Sequence, residues 1–114
     1  MSDCIFCKIV NKEIPSEFLL EDDSLVAFKD IDPKASTHVL IVPKKHISKV
    51  SDSESEDAGL LGVLLLASKK IAEKTGILES GYRIIINSGA DAGQEVDHLH
   101  VHVLGGEKLG GLNG

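Results

Sequence analysis

Three of the five histidines in this 114-residue chain stand at alternate positions near its C-terminus, in His98-Leu99-His100-Val101-His102-Val103-Leu104. Imidazole is a nucleophile, an acid or base near pH 7, and a hydrogen-bond donor to phosphate oxygens, so this stretch is equipped for nucleophilic or acid–base chemistry. The alternation of polar and apolar residues predicts a β-strand, with three imidazoles on one face and Leu99, Val101 and Val103 in a core on the other. Alternate residues on a strand lie about 6.5–7 Å apart, which separates His98 from His102 by about 13 Å at the backbone. A metal needs its donors about 2 Å away, and a run of three histidines strains to supply them. The three are therefore expected to divide the labour, with His100, the middle one, best placed to be flanked by helpers. A solvated, metal-scavenging histidine tract is the bland alternative, but such tracts seldom alternate with leucine and valine.

The His-φ-His-φ-His-φ-φ pattern, followed by Gly105-Gly106, resembles the signature of the histidine triad family. The likeness extends to Ile5-Phe6-Cys7-Lys8-Ile9-Val10, Glu13-Ile14-Pro15, Phe28-Lys29-Asp30-Ile31-Asp32-Pro33, the run from Thr37 to Ile47, and Gly81-Tyr82-Arg83. These segments are similar to the Hint branch, the purine nucleoside phosphoramidases. The resemblance implies that His100 carries a covalent nucleotidyl intermediate, which water hydrolyses in a second step. Such a nucleophile needs its other ring nitrogen to donate to a fixed acceptor, and a backbone carbonyl would suffice. His102 and His38 are the expected companions, donating to phosphate oxygens as charge builds and supplying a proton to an amine leaving group. His98 completes the set of candidate catalytic histidines.

The loop from Asn87 to Val96 leads back to the histidine stretch. Its glycines permit close backbone approach to a ligand, although on composition alone it is a hairpin loop. By resemblance, Asn87, Gly93, Gln94 and Glu95 contact the phosphate and the leaving group, with Val96 completing the loop. Many family members have serine where this chain has Glu95, and some have glutamate; an ionised carboxylate can neither donate a hydrogen bond nor welcome a phosphate. Asp97 also stands where an aromatic or apolar residue is more usual. Asp30 could accept hydrogen bonds from both ribose hydroxyls, and Phe6, Ile9, Phe28 and Ile31 could sandwich a base, a role that only the resemblance raises above core packing.

Cys4 and Cys7 form a C-x-x-C pair. Thiolates so spaced can chelate one zinc, with two histidines completing a tetrahedron; a redox dithiol or two inert buried thiols are the alternatives. The resemblance nominates His46 and His98 as those two ligands, making the zinc structural and leaving catalysis without a cofactor.

Several elements must position these residues. Ile5, Phe6, Ile9 and Val10 have helical spacing behind an Asp3 cap, which predicts a short helix within residues 3–11, ended before Pro15. Strands are expected over 18–21 and 25–29 around the Asp22-Asp23-Ser24 turn, followed by a loop at Asp30-Ile31-Asp32-Pro33. Thr37 to Val42 reads as a central strand with His38 at its start and His46 just past its end. Ser53 and Glu56 have capping-box spacing before a main helix whose buried stripe is Leu60, Leu64, Ala67 and Ile71, and which Gly76 stops. Tyr82 to Asn87 is expected to pair antiparallel with the histidine strand, and the five-glycine stretch 105–114 to form an extended or mobile arm.

The fold class is thus α+β: a single domain over residues 1–114 with an antiparallel sheet of about five strands, one main helix and a short N-terminal helix. The resemblance implies a homodimer. A net charge of −6 argues against nucleic-acid polymers, which call for a basic footprint, but leaves room for a mononucleotide. The longest apolar run, Leu60 to Ala67, is too short to span a bilayer, and two closely spaced cysteines suit a reducing cytoplasm. The expected activity is hydrolysis of nucleoside 5′-monophosphoramidates, AMP or GMP joined to an amine. Hydrolysis of dinucleoside polyphosphates, or a purine-nucleotide or zinc-binding regulatory module without turnover, are the alternatives. A nucleotidyltransferase of the galactose-phosphate type fits less well, because that branch carries glutamine where this chain has His102.

Overall fold

The computed structural model describes residues 4–112. The elements run α1 (Ile5–Val10), β1 (Phe18–Glu21), β2 (Leu25–Lys29), β3 (Thr37–Pro43), α2 (Ala58–Thr75), β4 (Tyr82–Ile85) and β5 (Val101–Gly105), with short 3-10 turns at Val50–Asp52, Ser55–Asp57 and Ala90–Ala92. All pairings in the five-stranded sheet are antiparallel, in the order β1-β2-β3-β5-β4. The expected α+β architecture is the one observed.

Strand alternation sorts the core into two layers. Val39 and Ile41 of β3, with Val101 and Val103 of β5, join Leu64, Ala67 and Ile71 of α2 on one side of the sheet. Val26, Phe28, Leu40 and Val42 face the other way and pack with Phe6 and Ile9 of α1. His38 shares this second face with Leu40, and His102 lies opposite Leu40 in the β3–β5 ladder. The histidine side of the sheet is therefore the side that α2 leaves open.

Local chemistry explains most boundaries. Asp22 Oδ1 accepts the N–H groups of Ser24 and Leu25 at 2.7 and 3.0 Å, closing the β1–β2 hairpin with an Asx turn. Gly76, at φ 78°, ends α2 in the left-handed conformation that glycine adopts without strain. At the start of α1 the cap is Cys4, whose Sγ accepts from Cys7 N–H at 3.3 Å, while Asp3 lies outside the described residues.

Four expectations shift. The capping box before α2 is Glu54 with Asp57, one residue on from Ser53 and Glu56. Asp57 is buried, accepts the Glu54 N–H at 2.8 Å and pairs with Lys45 Nζ at 2.6 Å, which anchors the turn at that register. Leu60 is only partly buried and flanks the stripe. Strand β4 stops at Ile85, short of Asn87. Strand β5 begins at Val101, so the histidine stretch is not one continuous strand with three imidazoles on one face. The Leu99 N–H turns to Ile47 O at 2.7 Å and the His98 N–H to Val96 O at 2.8 Å, which takes this segment out of the ladder. Beyond β5, Glu107 accepts from Ser36 N–H and Oγ–H at 2.6 and 2.7 Å, and Arg83 reaches Gly110 O at 2.8 Å.

Candidate active site

The break at His98 sends neighbouring histidines into two different environments. His100 and His102 line a cavity of about 270 Å³, together with His38 and Asp30 from the start of β3 and the loop before it. Asn87, Gly93 and Glu95 form its other wall. Within it, the His100 and His102 rings lie 4.9 Å apart between centroids. The His98 ring, fully buried, points instead toward Cys4, Cys7 and His46.

Hydrogen bonds fix the state of each ring. His100 Nδ1 lies 2.8 Å from His98 O, and a carbonyl can only accept, so Nδ1 carries the proton. Nε2 of His100 is then the basic nitrogen. Among the described residues it has no hydrogen-bond partner, yet no buried side-chain N or O among them lacks one, so Nε2 opens to the cavity. At His38 the order is reversed. The Lys34 N–H donates to His38 Nδ1 at 3.0 Å, which places the His38 proton on Nε2. That proton faces His102 Nδ1 at 2.9 Å, with Asp30 Oδ2 farther away at 3.5 Å. His102 accepts on Nδ1 and keeps its own proton on Nε2. The result is a directed chain from Lys34 N–H through His38 to His102, ending in a donor on the cavity wall.

Electrostatics hold both members of this chain neutral. Burial pushes His102 down to about 4, with the neighbouring His100 and His38 adding to the effect. Burial also lowers His38, against the opposing pull of Asp30. Asp30, His38 and His102 bring three ligand-type atoms within 4.8 Å of one another. A metal on His38 Nε2 would require its proton to move to Nδ1, where the Lys34 N–H already points, so this cluster works better as a proton chain than as a cradle.

The second cluster has the opposite character. Cys4 Sγ, Cys7 Sγ, His46 Nδ1 and His98 Nδ1 converge within 4.8 Å and could hold a metal ion. His98 Nε2 donates to Pro43 O at 2.9 Å, which leaves the Nδ1 lone pair free to ligate, the orientation imposed on metal-binding imidazoles. Burial lowers the pKa of His98, favouring the neutral form a ligand needs.

The remaining candidates distribute as follows. Gln94 braces its loop: Oε1 accepts from Gly89 N–H at 2.8 Å, and Nε2 donates to Ser48 O and Val96 O at 2.7 and 2.9 Å. Val96 packs at the edge of the core layer that contains Phe6, Ile9 and Phe28. Phe28 also borders a neighbouring cavity of about 540 Å³, on whose rim Ile31 is fully exposed. Sequence reasoning missed Lys34, Ile85 and Leu104 in the histidine cavity. Ile85 pairs with His102 and Leu104 with His38 across the ladders, so the register carries the signal for both. Lys34 acts through its backbone, which no residue type announces.

A sheet whose open side carries His38 and His102 bonded to each other, with His100 beside them in one cavity and a His-x-His-x-His segment feeding β5, is a histidine-triad architecture. Residues 11–109 match the HIT domain family model. The chain is 47% identical over 108 residues, 95% of its length, to a purine nucleoside phosphoramidase of Escherichia coli, 91% of which is covered. It is 49% identical over 104 residues to an uncharacterized HIT-like protein of Synechocystis, spanning 91% of this chain and 90% of that one. A HIT family hydrolase from Legionella pneumophila superposes with a TM-score of 0.95 at 45% identity, covering 98% of this chain and all of that one. A histidine triad protein from Clostridium difficile gives 0.93 at 45% identity, with 96% of each chain covered. The chain belongs to the HIT domain family.

Proposed function

We infer that this chain is a HIT-family hydrolase that cleaves nucleoside 5′-monophosphoramidates, AMP or GMP adducts of amines, through a nucleotidyl group carried on His100. The observation that carries this reading is the His100 ring, with Nδ1–H held by a carbonyl and Nε2 open to the cavity. Nε2 attacks phosphorus, the phosphorus–nitrogen bond to the amine breaks, and the amine leaves with a proton from a cavity histidine, which the water of the second step replaces. Water then breaks the bond between phosphorus and His100, releasing the nucleoside monophosphate. His102, held by His38, offers its Nε2–H to the phosphate oxygens while charge accumulates there. Every step is assigned to side chains of this chain, and no catalytic cofactor is called on. The similarity to the Escherichia coli phosphoramidase supports the substrate class.

Asp30 lines the histidine cavity, while its neighbours Phe28, Lys29 and Ile31 line the larger one. This arrangement supports a ribose held at Asp30, with the base directed toward Phe28 and Ile31 and Phe6 and Ile9 backing that wall. Asn87, Gly93, Gln94, Glu95 and Val96 form the loop on the leaving-group side. At the other cluster, zinc fits as a structural ion. Ideal zinc–sulfur and zinc–nitrogen bonds of about 2.3 and 2.0–2.1 Å space tetrahedral donors roughly 3.3–3.8 Å apart. The cluster shows 3.2 Å for Cys4 Sγ–His98 Nδ1 and for Cys7 Sγ–His46 Nδ1, 3.6 Å for Cys7 Sγ–His98 Nδ1 and 3.1 Å between the two imidazoles. Bound there, zinc supplies a rigid crosslink between α1 and the sheet.

A homodimer is supported by the outer face of α2, where Gly59 and Gly62 leave open space beside Val63 and Leu66, the last 67% exposed. No described helix is long and apolar enough to cross a membrane, and a cytoplasmic enzyme is the reading that accords with the cysteine usage. Glu95 on the cavity wall favours a second reading, a nucleotide-binding module without turnover, because its carboxylate repels phosphate. Rapid-quench mass spectrometry with an adenosine phosphoramidate decides between them. The expected result is a nucleotidyl mass on the peptide containing His100, absent in His100→Ala. Binding without turnover would favour the module, and undiminished turnover in His100→Ala would overturn the mechanism. A panel including dinucleoside polyphosphates identifies the preferred leaving group.

A further inference from the structure

The two histidine environments share one residue. His98 puts its ring nitrogen Nδ1 among the sulfurs of Cys4 and Cys7 and the ring of His46, and its own carbonyl oxygen takes the Nδ1 proton of His100 at 2.8 Å. Phe6, between the two cysteines in sequence, makes a second connection. Its ring meets His98 edge-on at 5.9 Å and His100 edge-on at 5.1 Å between centroids. A displacement of the knuckle that carries Cys4, Phe6 and Cys7 therefore reaches the His100 ring through its packing neighbour and through the residue that orients it.

We propose that metal occupancy of the Cys4–Cys7–His46–His98 cluster sets the orientation of His100, making His98 and Phe6 positioning residues for chemistry in which the metal takes no part. Helix α1 has only six residues, too few to hold itself in place, and Cys4 Sγ provides its cap. With four ligands joined, the helix start, the β3 exit at His46 and the His98 backbone become one rigid unit. With the cluster open, the His98 ring keeps its bond to Pro43 O, but the knuckle is tied down by weaker contacts. Among the described residues nothing else donates to or accepts from His100 Nδ1, so loss of alignment with His98 O releases both the tautomer and the aim of Nε2.

The proposal rests on His100 being the nucleophile, so its test includes a readout that does not depend on turnover. The full-length protein is prepared metal-free by chelation and reloaded with Zn2+ or Co2+. Co2+ visible spectra report the two-sulfur, two-nitrogen site, and long-range 15N–1H spectra report the His100 Nδ1–H signal. Loaded protein is expected to show a sharp His100 signal that broadens in the metal-free form. In parallel, kcat falls by about tenfold while KM stays within about twofold, and reloading reverses both changes. His46→Gln removes a ligand from the exposed side of the cluster without opening the core and should reproduce the metal-free state, whereas His46→Cys should retain metal and kcat. An identical His100 signal with and without metal overturns the proposal, as does protein that takes up no Co2+, or a metal effect confined to melting temperature. Failure of the nucleophile assignment is recognised separately, by turnover surviving in His100→Ala.

Discussion

His38 Nε2 lies 2.9 Å from His102 Nδ1, and the direction of this bond is imposed from outside the pair, by the Lys34 N–H on His38 Nδ1. One backbone amide thus decides which nitrogen of His102 faces the cavity with a proton. His38→Gln should leave the fold intact, because an amide can still bridge the position, but it loses the fixed order of donors. We expect kcat to fall by about tenfold to a hundredfold with KM changed by less than about threefold, measured in steady-state phosphoramidate assays. A change in KM alone would place His38 in substrate binding instead.

Glu95 shares the cavity wall with Asn87 and Gly93, and its negative charge also reaches Lys34. Replacement by serine removes a repulsion toward phosphate and adds a donor. Glu95→Ser is expected to raise kcat/KM by roughly twofold to fivefold for substrates with neutral leaving groups, as befits one exposed charge. The gain should shrink as salt is added.

Stability should fall as pH drops below neutrality. His102 is held down to about 4 in the folded protein and returns toward its ordinary value of 6.5 on unfolding. Protons then favour the unfolded chain throughout that interval, so the contribution is fully present above 6.5 and is lost as pH falls through the folded value. His38, lowered in the same direction, adds to the upper part of the same window. Urea unfolding midpoints from pH 7.5 to 4 should decline in the parent and decline less in His102→Gln. A midpoint rising toward acid pH would contradict the assignment.

The two faces of α2 should respond differently to substitution. Leu64→Ala removes a side chain that is 1% exposed in the inner stripe and should cost about 2–5 kcal/mol in denaturant unfolding. Leu66→Arg, on the outer face, is expected to leave monomer folding intact and to halve the mass seen by sedimentation. An unchanged mass for Leu66→Arg would remove α2 from the proposed subunit contact.

Legibility in the sequence followed how locally each feature is determined. Strands β1 and β2 were legible as apolar runs on either side of the polar Asp22-Asp23-Ser24 turn, and Gly76 marked the end of α2, because each depends on neighbours a few residues away. The break at His98 was hidden, since the alternation continues unbroken from His98 to Val103 while the Leu99 N–H answers to Ile47, 52 positions earlier. The capping residues of α2 moved by one because Lys45, from another part of the chain, selects Asp57. Lys34 stayed invisible for a different reason: its contribution to His38 is an amide that any residue except proline supplies.

Strand β5 follows β3, α2 and β4 in the chain, yet it lies between β3 and β4 in the sheet. A polypeptide halted before His98 would leave two open edges with a gap one strand wide and neither His100 nor His102 beside it. The same insertion that closes the β-sheet delivers the reactive ring, so premature nucleotide cleavage by a half-made molecule is ruled out by topology. Splitting the protein in the loop between β4 and β5 should accordingly yield two inert pieces that recover activity only on mixing.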